Sequence, residues 1–195
     1  EAKSTLITQI VSLWIIVTNR SHIIPIVMDT SEQAQTMLAD IKAELEFNPR
    51  LRSDFPKACG AGRVWNVNVI LTNNNIKLKA FGKGKRMRGL RHGPFRLQIV
   101  MLDDLDNDEN VQSKEQRDED FNWIVKVVLP LGPPEGTLKV LFVHTLLHHD
   151  SPANRLHNNP AWQSVKFSAI MRWPDRMDLW DIWEGIYFAE GKQES

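Results

Sequence analysis

Cysteine is nearly missing from this chain: Cys59 is the only one in 195 residues. An intramolecular disulfide and a cysteine-based zinc site are thereby excluded, and the usage fits a reducing compartment. Long apolar runs are also missing. The longest, Leu13 to Val17 and Val127 to Leu131, fall far short of the roughly 18 to 20 residues that a membrane span requires. The opening Glu1-Ala2-Lys3-Ser4-Thr5 has neither the cationic leader nor the cleavage site of a signal peptide, so a cytoplasmic location and no membrane contact are expected. Net charge is absent as well, because 24 Lys and Arg offset 24 Asp and Glu, which argues against a uniformly basic nucleic-acid coat. With 42% hydrophobic and 25% charged residues, the composition is that of one globular domain spanning 1–195. No repeat, low-complexity tract or boundary interrupts it.

The balanced charge is segregated along the chain. Residues 83–96 carry Lys83, Lys85, Arg86, Arg88, Arg91 and Arg96 without an acid, and 103–120 carry nine acids against Lys114 and Arg117. Apolar residues at Leu6, Ile10, Leu13, Trp14 and Val17 recur at helical spacing and predict a helix over 3–18. Ile23 to Met28 reads as a buried strand that Pro25 displaces toward a sheet edge or a bulge. Thr30 with Gln33 forms a capping box ahead of a helix with Ala34, Met37, Leu38, Ile41 and Leu45 on its buried face. Residues 64–71 and 76–81, joined by Asn73-Asn74-Asn75, predict a β-hairpin. A glycine-punctuated basic loop then leads to the strand Leu97 to Leu102. Ser113 caps a further helix, Leu138 to Val143 gives a strand, Trp162 to Met171 a last strand, and Leu179 to Ile186 a terminal helix. Strands alternating with helices imply an α/β fold with a mainly parallel sheet.

Five groups of residues could carry chemistry. Lys3-Ser4-Thr5 opens a helix, where backbone N–H groups and the helix dipole favour phosphate, although such a start is also an ordinary helix cap. Asp103-Asp104 ends an apolar strand, which puts two carboxylates at the edge where open α/β sheets bind ligands; a solvated acidic loop is the alternative. The basic loop, with Arg88 and Arg91, offers forked donors suited to phosphate or lies free in solvent. His144 and His148, with Asp150 or His157, could hold zinc if the two histidines shared a helical face. The aromatics Trp173, Trp180, Trp183, Tyr187 and Phe188 could stack on bases, with core packing the favoured use.

Taken in order, the stretches A-K-S-T-L at 2–6, Asp29-Thr30, F-G-K-G-K-R-M-R-G-L-R-H-G-P at 81–94, L-D-D-L-D-N-D-E-N-V at 102–111, E-Q-R-D at 115–118, V-V-L-P-L-G at 127–132, H-T-L-L-H-H-D-S at 144–151 and the later W-P-D-R and D-L-W resemble the ATPase domain of the large terminase subunit of tailed bacteriophages and prophages. The resemblance implies a P-loop NTPase-like sheet of the ASCE type, a β-hairpin insertion, ATP and Mg²⁺ as cofactors, and DNA packaging as the function. It implies that Lys3, Ser4 and Thr5 end the phosphate-binding motif, with Ser4 and Asp103 on Mg²⁺. Asp104 stands where relatives carry a catalytic Glu. Thr145 falls on the coupling motif, where His144 replaces a Gly common in relatives. Arg88 corresponds to an arginine finger offered to a neighbouring subunit, with Arg91 second at the nucleotide. Double-stranded DNA, neighbouring terminase subunits in a ring, the portal and the small subunit are the implied partners, in the host cytoplasm. The loop that precedes the motif Lys and the nuclease domain of full-length relatives are not in the sequence, so a truncated ATPase region with weak nucleotide affinity is expected. The alternative is a remnant without hydrolysis that binds DNA or protein through 83–96.

Overall fold

The computed structural model describes residues 2–190. The chain divides into two compact units, Glu1–Asn159 and Pro160–Ser195, a division that no compositional shift announces. In the first unit the entry helix begins at Lys3, winds as a π-helix over Thr5–Ile10 and continues as α1, Val11–Val17. Then follow β1 (Ile23–Met28), α2 (Ser31–Phe47), α3 (Pro49–Asp54), β2 (Val64–Trp65), β3 (Val69–Leu71) and β4 (Lys77–Gly82). A two-stranded ribbon, β5 (Arg91–His92) with β6 (Phe95–Arg96), precedes β7 (Ile99–Asp103), α4 (Lys114–Trp123), β8 (Lys139–Val143) and α5 (Pro152–His157). The second unit contains α6 (Asp178–Glu190).

Six strands form one mixed sheet in the order β2-β3-β4-β1-β7-β8. The four from β4 to β8 in that order are mutually parallel, while β2 and β3 add antiparallel strands at one side. An α/β architecture is therefore observed. Both faces of the parallel part are covered. On one, Ile24, Ile26, Leu78 and Met101 pack with Leu38 and Ile41 of α2 and Ile16 of α1. On the other, Ile23, Val27, Val100 and Leu102 are equally buried. Two-sided burial is the reason β1 and β7 read as unbroken apolar runs instead of alternating ones. Among the described residues no helix is long and apolar enough to cross a membrane.

Local chemistry sets the element ends. Thr30 Oγ1 accepts from the Gln33 N–H at 3.2 Å while Gln33 Oε1 accepts from the Thr30 N–H at 3.3 Å, the reciprocal capping box expected of that spacing. Ser113 and Ser151 cap α4 and α5 through the N–H groups of Gln116 and Asn154.

Four expectations are corrected. Pro25 lies in the middle of a central strand, opposite Lys79 of β4. The carbonyls of His22 and Met28 face β4, so by alternation Pro25 faces β7, where pairing starts only at Ile26; no ladder donor is missed. The first arm of the hairpin is broken, because Asn66 Oδ1 accepts from the N–H groups of Asn68 and Val69 at 3.0 and 2.8 Å and folds β2 back on β3. The segment expected as a last strand from Trp162 is irregular, with Val165 and Phe167 76% and 81% exposed. Finally, Trp180 and Trp183 on α6 are about half exposed; they meet edge to face, and Trp183 stacks on Tyr187. Helical periodicity shows that a face is apolar, not that anything covers it.

Candidate functional site

The site is assembled where parallel strands end. β7 is buried along its whole length and is flanked by β1 and β8, so Asp103 emerges at the interior of the carboxyl edge, fully buried. A bare carboxylate there would be costly. The entry helix compensates it: Ser4 Oγ donates to Asp103 Oδ1 at 2.9 Å and Thr8 Oγ1 to Oδ2 at 2.6 Å. Residues four apart lie on one helix face, which is why Ser4 and Thr8 act together while Thr5 points outward and is exposed. Thr8 was not among the sequence candidates; its four-residue spacing from Ser4 was the available signal. Burial pushes the Asp103 carboxyl above its ordinary range, opposed by the Thr8 and Ser4 hydroxyls; neighbouring Asp104 pushes the same way as burial and Lys3 against it.

Asp104 takes a different position. Its φ of 37° puts a non-glycine residue in the left-handed region, a conformation that costs on the order of 1–2 kcal/mol and that clusters at functional sites. The turn is held from β8: the Asp104 N–H donates to the Val143 carbonyl at 3.0 Å, and Asp104 Oδ1 accepts from the Thr145 N–H at 2.8 Å and from Thr145 Oγ1 at 3.2 Å. Lys3 Nζ lies 3.5 Å from Asp104 Oδ1 and also bonds the Thr145 hydroxyl. Lys3, Ser4, Asp103, Asp104 and Thr145 thus meet at one sheet edge, although about 140 residues separate the first from the last.

The two arginines are placed elsewhere. His22 stacks on Phe95 at 3.5 Å and His92 Nε2 lies 3.1 Å from Asn75 Oδ1; His22 and Asn75 precede β1 and β4, so the ribbon carrying Arg91 sits at the amino edge of the sheet. The resemblance puts Arg91 at the nucleotide, yet the ribbon does not share the Asp103 edge, for a topological reason. β7 is parallel to β4, so the chain leaving β4 must return to the amino edge before entering β7. Arg91 is therefore across the sheet from Asp103. Arg88 is exposed on the way, between buried Met87 and the left-handed Gly89 (φ 76°).

The histidines form no metal centre, and among the described residues no group of three or more His, Cys, Asp or Glu could hold a metal ion. Residues 144–147 are not helical, which removes the shared face. His148 Nδ1 accepts the Asp150 N–H at 3.0 Å, and Asp150 is gripped by Arg155 at 2.7 Å through two nitrogens and by Arg117 at 3.4 Å. These guanidiniums hold the Asp150 carboxyl far below the usual range, Arg155 foremost.

The donor set at the carboxyl edge does fit a magnesium ion. Mg²⁺ takes few protein ligands and fills its shell with water and phosphate oxygens; the Ser4 hydroxyl beside the Asp103 carboxylate supplies that minimum, and Lys3 adds charge for phosphate.

No protein-family model matches the chain, and no curated protein matches it.

Proposed function

We propose that the chain is the ATP-hydrolysing domain of a phage-type terminase large subunit, a P-loop NTPase of the ASCE class that drives DNA into procapsids. The observation that carries this reading is the meeting of Lys3 and Ser4, at the start of one helix, with Asp103, Asp104 and Thr145 at the ends of two parallel strands. Composition does not require that meeting; a nucleotide site does. Lys3 would neutralise the β- and γ-phosphate oxygens, and the Ser4 hydroxyl with Asp103 would hold Mg²⁺. That ion, when bound, offsets the charge developing on the transferred phosphoryl group. Asp104 orients the attacking water and accepts its proton as the terminal phosphoanhydride bond breaks and ADP leaves. Thr145, bonded to Asp104 and Lys3, registers which of them the nucleotide occupies. Arg88, exposed and without an ion pair among the described residues, serves a neighbouring subunit's nucleotide. Double-stranded DNA, neighbouring subunits, portal and small subunit are the partners, in the host cytoplasm.

The test is ATP turnover by the natural full-length protein with and without duplex DNA. Asp104→Asn is expected to abolish hydrolysis while leaving nucleotide binding measurable. Equal loss of both would move Asp104 into the binding set, and a wild-type protein without turnover would end the reading.

A second reading, a DNA- or protein-binding domain without hydrolysis acting through 83–96, draws on the ribbon, whose Arg91 and Arg96 have no acid partner among the described residues. Salt-sensitive DNA binding in a protein that leaves ATP intact would favour it.

A further inference from the structure

Behind the Asp104–Thr145 contact lies a second pair. His144 immediately precedes Thr145, and Asp106 is two residues beyond Asp104. Their side chains are only 5% and 3% exposed, with Nε2 and Oδ2 3.2 Å apart. The atoms are close enough to attract, yet their angle makes no hydrogen bond, and both His144 ring nitrogens and Asp106 Oδ2 are without a bonded partner. Leaving a buried polar group in that condition destabilises the fold. Apolar side chains of similar size would serve stability at least as well.

The surroundings give the pair a use. Asp104 is held in its left-handed turn by bonds from Val143 and Thr145. His144 and Asp106 bring the same two loops into contact away from solvent, without a hydrogen bond between them. Past Asp104 the loop is fixed at other points: the Leu105 carbonyl accepts from Lys83 Nζ at 2.7 Å, and Asn107 Nδ2 donates to Asp29 Oδ2 at 2.8 Å. Lys83 is paired with Asp29 at 3.1 Å and Asp120 at 2.9 Å, and the basic loop departs from it.

We propose that the buried His144–Asp106 pair positions Asp104 against Thr145 and carries a displacement of that contact to Lys83 and the basic loop; this rests on the nucleotide reading above. When Lys3 and Thr145 turn from Asp104 toward a phosphate, the Asp104 side-chain tie between the loops is released, and the bond from the Asp104 N–H to Val143 remains. The deeper pair then keeps the loops moving together. A small shift of either loop brings Nε2–H and Oδ2 into line, so the contact is stronger in the displaced arrangement than in the resting one. A differential interaction of this kind is what a population shift requires. His144 and Asp106 are positioning residues; neither touches nucleotide or water.

The test uses the natural full-length protein and the double variant His144→Phe/Asp106→Leu, which removes both polar groups and leaves no orphaned charge. Its melting temperature is expected to equal or exceed that of the wild type. Its kcat for ATP is expected to fall by roughly 10²-fold, the effect of a misplacement of about 1 Å, with KM nearly unchanged. His144→Gln, which keeps a donor for Asp106, should retain most of the rate. A double variant with wild-type kcat, or a His144→Gln no better than the double variant, overturns the proposal while leaving the nucleotide reading intact. A wild type without turnover ends that reading; the pair is then judged by amide exchange at 104–107 without nucleotide. Faster exchange there in the double variant supports the pair's hold on the loop, and unchanged exchange overturns it.

Discussion

Replacing Asp103 by Asn should make the protein more stable at neutral pH. The Asp103 carboxylate is fully buried and accepts two hydroxyl hydrogen bonds, from Thr8 at 2.6 Å and Ser4 at 2.9 Å. Hydrogen bonds to a charged group contribute about 1.5–3 kcal/mol each, whereas withdrawing a carboxylate from water costs several kcal/mol. The carboxyl lies above its ordinary range, with burial the largest influence, so desolvation prevails and the charge is a net cost in the folded protein. Asn keeps the shape: its Oδ1 accepts one hydroxyl, and its amide donates to the other after a rotation. A relief on the order of 1 kcal/mol corresponds to a rise of about 2–4 °C in melting temperature for a chain of this size. The pH dependence has a fixed sign. An acid with a raised folded-state pKa contributes stability that is complete below its unfolded value, near 3.9, and lost as pH rises through the folded value. The variant's advantage is therefore largest at pH 7.5 and closes on acidification. Thermal melts followed by circular dichroism at pH 7.5 and near the unfolded value, about pH 4, measure it. A variant that melts lower than the wild type at pH 7.5, or a gap that ignores pH, would refute the reasoning. Saturating ATP and Mg²⁺ should reverse the order, since only the wild type offers the ion its carboxylate.

Lys83→Met should cost about 3–5 kcal/mol in urea unfolding, the scale of orphaning buried charges, because Asp29 and Asp120 would lose an ammonium buried with them at 3.1 and 2.9 Å; a cost under about 1 kcal/mol would mean that solvent already serves those acids. Arg155→Met should weaken the tie between α4 and α5 at the acid side. Asp150 is held below its usual range chiefly by Arg155, so its stabilising share is present above the unfolded value and disappears only at more acid pH. In the variant the loss of exchange protection in α5 moves to higher pH, and an unmoved transition would discount the network. Arg88→Ala should cut turnover of the assembled protein and spare monomer nucleotide binding. Mixing it with Asp104→Asn subunits should restore some activity; loss of DNA affinity at an unchanged DNA-free rate would instead assign Arg88 to the phosphate backbone. Removing both Arg91 and Arg96 should flatten the salt dependence of DNA binding by nearly 2 in the log–log slope, read by fluorescence anisotropy.

Much of the fold was legible because local rules and tertiary structure agree. The capping box at Thr30, the apolar runs of β1 and β7, and the acids at the end of β7 follow from spacing and composition. The gathering of Lys3, Ser4, Asp103, Asp104 and Thr145 was not legible in periodicity, which cannot bring residue 3 to residue 145. What stayed hidden depends on direction and pairing. Asn66 folds its own strand back through a side-chain bond, and the basic loop crosses to the amino edge because β4 and β7 run parallel. Pro25 is tolerated in mid-sheet because its neighbour's ladder starts one residue later. Each requires knowing which strand lies beside which. Thr8 and the His144–Asp106 pair had weaker signals still: one hydroxyl spaced four from another, and a histidine whose partner sits 38 residues earlier in the chain.

The most direct measurement is paramagnetic broadening by Mn²⁺·ATP, with Mn²⁺ in place of Mg²⁺, followed at individual backbone amides of the natural protein. The account predicts selective broadening at Ser4, Thr8, Asp103, Asp104 and Thr145, with the ribbon from Arg91 to Arg96 unaffected at the far edge of the sheet. Broadening centred on the ribbon or on the His148–Asp150 segment, or none that ATP competes away, would contradict it.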